Sequence, residues 1–136
     1  MPTHFHLILN DFNDNYLSKY MNNIQNSYTR FFNLKHKRKG PLWQSSYKKI
    51  NVEKDIYLIH LTRYINLNPV TAFLVDRPED WKYSSYREYL EGKEINCGYL
   101  KYFPENYNFK KFYKQFVEER KDYQRKLQII KKYIIE

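Results

Sequence analysis

A chain of 136 residues is the size of one domain with a single, modest core. Lys and Arg number 24 against 15 Asp and Glu, a formal net charge of +9, which disfavours an acidic surface function and favours a polyanionic partner, nucleic acid being the commonest. The lone cysteine, Cys97, excludes an internal disulfide and a zinc knuckle and fits a reducing cytoplasm; no apolar run approaches the ~20 residues of a membrane helix, and Met1-Pro2-Thr3-His4 has no signal-peptide character.

Residues 4–10, His-Phe-His-Leu-Ile-Leu-Asn, read as a strand, with His4, His6 and Ile8 on one face and Phe5, Leu7 and Leu9 on the other. The second face is wholly apolar and is expected to pack on a core. Residues 16–35 carry a helical stripe, Leu17, Tyr20, Met21, Ile24, Tyr28 and Phe31, after a polar turn in which Asp14 or Asn15 is a candidate cap. Lys35-His36-Lys37-Arg38-Lys39-Gly40-Pro41 is a basic loop: either a solvated connection or a clamp for phosphates, its place between two regular elements favouring the clamp.

Residues 43–52 read as a second strand and 53–67 as a second helix, which Asn68-Pro69 is expected to end or kink. A short apolar continuation over 70–75, a turn over 77–81 and a small helix over 84–91 follow. Residues 93–107 read as irregular. Residues 108–135 read as one long basic helix with Phe112, Phe116, Tyr123, Leu127 and Ile130 as its apolar side.

Two small constellations carry chemistry. His4 and His6, one residue apart on a strand, point the same way, and neutral imidazoles are good ligands for a shared divalent ion. Tyr64 and Asn68 are four apart on a helix and lie on one face. A tyrosine oxygen can attack phosphorus where a metal polarises the phosphate, and an asparagine carbonyl is a usable hard ligand. Taken singly, a His-x-His pair is commonly free of metal and a tyrosine on an apolar helix face commonly packs in a core. Tyr28 is the second candidate nucleophile. His36 belongs to the basic loop, and His60, four before Tyr64, is within reach of it.

Taken together and in this order, the residues resemble the HUH endonuclease superfamily, and more narrowly the REP-associated tyrosine transposases. The matching stretches are Met1-Pro2-Thr3-His4-Phe5-His6-Leu7, Ser27-Tyr28-Thr29-Arg30-Phe31-Phe32-Asn33, Gly40-Pro41-Leu42-Trp43-Gln44, Arg63-Tyr64-Ile65-Asn66-Leu67-Asn68-Pro69-Val70 and Trp81-Lys82-Tyr83-Ser84-Ser85-Tyr86. The resemblance implies an α+β fold: an antiparallel, ferredoxin-like sheet with helices packed on one side, here without its first strand, helix and strand, plus a C-terminal helix. It divides the chain into a partial transposase domain over 1–92 and an appended segment over 93–136.

The resemblance also implies roles. His4, His6 and Asn68 would bind Mg²⁺ or Mn²⁺, and Tyr64 would attack a DNA phosphate to form a 5′-phosphotyrosine. Lys35, Lys37, Arg38, Lys39 and Arg63 are the expected DNA contacts. The expected partner is single-stranded or hairpin DNA, with a homodimer as the expected assembly because family members often act as dimers. The alternative is a DNA- or RNA-binding remnant that has lost turnover.

Overall fold

The computed structural model describes residues 1–9, 14–91 and 108–135. Its elements are α1 (Asp14–Lys35), α2 (Asp55–Thr71), a 3₁₀ turn at Pro78–Asp80, α3 (Tyr86–Glu91), α4 (Phe109–Glu118) and α5 (Lys121–Ile135). They fall into two compact units, Leu9–Asn51 and Met1–Ile8 with Val52–Glu136.

The expected antiparallel sheet is not there: no strand occurs among the described residues, and both segments read as strands, 4–9 and 43–52, lack regular structure. A strand exists only as part of a ladder, because its amides and carbonyls need a neighbour to bond. Neither segment forms a ladder with the described residues. The alternating apolar face goes uncovered as a result, with Phe5 40% and Leu7 50% exposed where a core contact was expected.

In the first unit, α1 forms where the stripe lay, and Leu17 and Met21 are its buried members. Its last turn closes through two backbone bonds, Lys37 N–H to Leu34 O at 3.3 Å and Arg38 N–H to Asn33 O at 3.0 Å. That pairing is a Schellman motif, which places Lys37 in the left-handed region at φ 50°, a position that glycine usually fills. The loop then returns along the helix. Asn33 Nδ2 donates to Gly40 O at 2.9 Å, and Trp43 Nε1 donates to Gln25 O at 3.1 Å. Gly40 itself sits at φ 94°, where a side chain would be strained. Lys37→Gly relieves the strain at the helix end, partly offset by the extra freedom of the unfolded chain. Urea unfolding is expected to show a gain of up to about 1 kcal/mol, and an unchanged or lower midpoint would count against this account of the turn.

In the second unit, α2 packs on α4, α5 and the 3₁₀ turn, and α3 packs on α4. The core is Leu67, Tyr86, Tyr89, Tyr113 and Val117, with Leu58, Leu90, Phe109 and Phe116 against it. It is tyrosine-rich because rings interleave there: Tyr113 stacks on Phe109 at 5.3 Å and meets Tyr89 edge-on at 5.3 Å.

Of the two outcomes expected at Asn68-Pro69, an end or a kink, the end does not occur: α2 runs through the proline to Thr71. An interior proline costs ~3 kcal/mol. Leu67 and Val70, both fully buried, offset it at ~1.5–3 kcal/mol each. The end is closed from α5: Arg125 donates to Val70 O at 3.3 Å and Val75 O at 3.2 Å, and pairs with Asp76 at 3.0 Å. A cation there suits the negative end of the helix dipole. Phe73, at φ 57°, takes the left-handed position of this second Schellman turn, with the Arg125 guanidinium 5.4 Å from its ring centre.

The expected single helix over 108–135 is two, α4 and α5, separated at Glu119 and Arg120. One straight rod of that length would run ~42 Å, whereas α2 spans only ~25 Å. Breaking the rod lets both pieces pack on α2. Tyr113 and Val117 carry the burial on α4, while Tyr123 and Leu127, expected on the apolar side, stay exposed. The segment 93–107 and the Ile130 side chain lie outside the described residues.

Candidate active site

The first residues of the chain and α2 belong to the same unit, and their side chains meet. Tyr64 and Asn68 share a face of α2 because four residues advance a helix by little more than one turn. His6 lies against both: its ring is 5.9 Å from the Tyr64 ring, edge to face, and its Nε2 accepts from Asn68 Nδ2 at 2.9 Å. His4 stands beside His6 with ring centres 5.1 Å apart, and Thr3 Oγ1 lies 3.1 Å from His4 Nδ1, which leaves Nε2 for another partner. The Tyr64 side chain is 46% exposed, so a large substrate can reach it.

The protonation of His6 is biased by this setting. Partial burial, then the neighbouring His4, then the chain's amino terminus all hold its pKa below the ordinary 6.5. His6 is therefore neutral at physiological pH, with a lone pair for a ligand bond.

The donor set fits a divalent ion. Two imidazoles bound to one metal at ~2.1 Å, at angles between square and tetrahedral, have ring centres roughly 4.6–5.3 Å apart. The observed separation of His4 and His6, 5.1 Å, falls in that interval. Turning the Asn68 amide over would present Oδ1 in place of Nδ2 beside His6 Nε2. Among the described residues, no group of three or more His, Cys, Asp and Glu gathers. The residues that would hold such an ion are two imidazoles and one amide.

The remaining residues singled out in the sequence lie elsewhere. Lys35, Lys37, Arg38 and Lys39 are exposed in the unit Leu9–Asn51. Lys35 sits over the Phe31 ring at 5.6 Å and Arg38 over Phe32 at 5.8 Å, so rings hold part of the cationic loop. That unit has eight lysines and arginines against two aspartates, +6 of the total +9. Tyr28 is in it too, half-exposed among Phe31, Phe32 and Trp43, and His36 lies on Phe32 at 4.2 Å.

Arg63 is on α2 but turned toward α4. Its guanidinium lies 4.0 Å from the Phe116 ring centre, bonds His60 Nδ1 at 2.8 Å and donates to Phe116 O at 3.3 Å. His60 is thus held by Arg63 and by the Phe116 ring at 5.6 Å.

Nothing in the sequence marks the back of α2 as polar and bonded. There Asn66, 2% exposed, donates through Nδ2 to the Tyr113 hydroxyl at 2.7 Å and accepts at Oδ1 from Ser84 Oγ at 3.0 Å. Ser84 Oγ accepts in turn from the Tyr86 amide, at the start of α3, at 3.1 Å. The only trace of this in the sequence was an asparagine on the buried side of a helix.

A model of the IS200-like transposase family matches residues 1–68, half the chain and the span from the histidine pair to Asn68. The chain belongs to that family, whose members are transposases. Comparison with curated proteins and with solved structures finds no match. No helix among the described residues is long and apolar enough to cross a membrane.

Proposed function

We propose that this transposase cuts and rejoins single-stranded DNA through Tyr64, with a divalent metal held by His4, His6 and Asn68. The observation that carries the reading is His6 lying between Tyr64 and Asn68, with a ring contact to one and a hydrogen bond to the other.

Tyr64 Oη attacks a backbone phosphorus and the bond from phosphorus to the 3′ oxygen breaks. The phenolic proton passes to solvent, and a proton from solvent completes the free 3′-OH. The products are a 5′-phosphotyrosine and that 3′-OH, and attack of another 3′-OH reverses the step on a new strand. One phosphodiester is exchanged for another, so no nucleotide cofactor is consumed. A bound Mg²⁺ or Mn²⁺ supplies Lewis-acid polarisation of the phosphate. The protein keeps His6 neutral and places Asn68 and Tyr64 on one helix face, so that reacting groups meet without a search. Lys35, Lys37, Arg38 and Lys39 hold the DNA backbone, a salt-sensitive attraction that sets position rather than sequence.

The test mixes the protein with end-labelled single-stranded hairpin DNA and resolves covalent products on a denaturing gel. An adduct is expected with Mn²⁺ or Mg²⁺ and none after EDTA. DNA binding without an adduct under any metal would replace this reading with that of a binding protein. An adduct indifferent to EDTA would remove the metal from the mechanism.

A further inference from the structure

Asn66 sits two residues from both Tyr64 and Asn68, which on a helix places it roughly 160° around the axis from each. One side of α2 therefore carries the candidate chemistry, and the other is bonded to the rest of the unit. The bonding is polar and buried. A chain of hydrogen bonds runs from the Tyr86 amide to Ser84, from Ser84 to Asn66 Oδ1, and from Asn66 Nδ2 to Tyr113. Tyr113 is fully buried and Asn66 nearly so. Thr62, one turn before Asn66, is buried on the same side of α2 and donates to Ile59 O at 2.8 Å. Burial, the largest cause, drives the Tyr113 pKa far above the ordinary phenol value, so its hydroxyl stays protonated and serves as a neutral partner.

Apolar packing alone would leave α2 free to turn by some degrees about its axis, because dispersion contacts have little direction. Hydrogen bonds to Asn66 from two elements at once fix that angle, since each loses strength steeply as it bends. Ser84, Tyr86 and Tyr113 all lie beyond residue 68, outside the span that the IS200-like family model covers, with Ser84 and Tyr86 in the stretch Trp81–Tyr86 that resembles the tyrosine transposases.

We propose that Asn66, held by Ser84 and Tyr113, is a positioning residue that sets the rotation of α2 and so aims Tyr64 and Asn68 at His6. The C-terminal half of the chain is then part of the catalytic apparatus. This rests on the strand-transfer reading above. It assigns no contact with DNA to Asn66 or Tyr113.

The experiment compares the full-length wild type, Tyr113→Phe and the double variant Asn66→Leu with Tyr113→Phe. Tyr113→Phe removes one oxygen and leaves the buried Asn66 amide unpaired, which is destabilising. The double variant removes both partners of the Asn66–Tyr113 bond and leaves only the part-buried Ser84 hydroxyl without its acceptor, so stability should return in large part. Single-turnover adduct formation at saturating hairpin DNA and Mn²⁺ is expected to fall about tenfold to a hundredfold in both. DNA affinity should stay within about twofold, because phosphate contacts dominate it. The side-chain ¹⁵N shift of His6, read by NMR without DNA or metal, should move in both variants as the Asn68 bond loosens. Recovery of the adduct rate along with stability in the double variant would reduce the network to a structural role and overturn the proposal. An unchanged His6 shift in both would overturn it as well. A wild type that forms no adduct would instead sink the strand-transfer reading, and the rate limb of this proposal with it; the His6 shift alone would then decide whether Asn66 positions the helix.

Discussion

Tyr64→Phe is expected to bind hairpin DNA like the wild type and to form no covalent adduct, a loss of at least about a thousandfold. The substitution removes Oη and nothing else. The ring that meets His6 at 5.9 Å remains, and the site is half-exposed on an intact helix, so stability should change by no more than about 0.5 kcal/mol. Without the oxygen its neighbours one turn away offer no replacement: Leu61 and Asn68 are not nucleophiles and His60 is held by Arg63, while the next hydroxyl on that face, Tyr57, is two turns or about 10 Å along the axis. Tyr28→Phe is the control. Tyr28 belongs to the other unit and sits among Phe31, Phe32 and Trp43, so its adduct yield should equal that of the wild type. A gel in which Tyr64→Phe still forms the adduct while Tyr28→Phe does not would move the nucleophile to α1.

The parts of this molecule that could be read from its residues are those set by neighbours along the chain. The stripe from Leu17 to Phe31 is strictly helical in period, and α1 follows it. Tyr64 and Asn68 share a face by spacing alone. The expected sheet failed for the opposite reason. A strand pattern states which face is apolar and says nothing about which other segment will pair with it, and residues 4–9 form no strand ladder with any described residue. That α2 continues past Pro69 could not be read locally, because the cost of the proline is fixed while the burial of Leu67 and Val70 that outweighs it is a tertiary fact. The charge of Arg63 is plain in the sequence, but its seat over Phe116 depends on α4, more than 50 residues later. Asn66 is harder still, since nothing in a linear sequence distinguishes a solvated asparagine from one bonded at both ends by Ser84 and Tyr113.

Leu67→Ala is expected to cost about 3 kcal/mol, near the middle of the range for buried leucines. Domains of this size have only about 5–15 kcal/mol in total. Leu67 is fully buried and stands between Asn66 and Asn68, at the point where α2 meets Tyr86, Tyr113 and Val117. Truncation leaves a cavity lined by rings that are themselves stacked and hydrogen-bonded, so collapse around it is hindered and the cost should not fall to the low end. Urea unfolding followed by circular dichroism reads the change, with Leu34→Ala as reference: Leu34 is 75% exposed, and its loss should be within about 0.5 kcal/mol. A Leu67→Ala protein as stable as the reference would mean that α2 is not seated on this core. The rotation proposed for Tyr64 would then have no floor to be set against, because hydrogen bonds from Ser84 and Tyr113 can orient a helix only if packing first holds it at their distance.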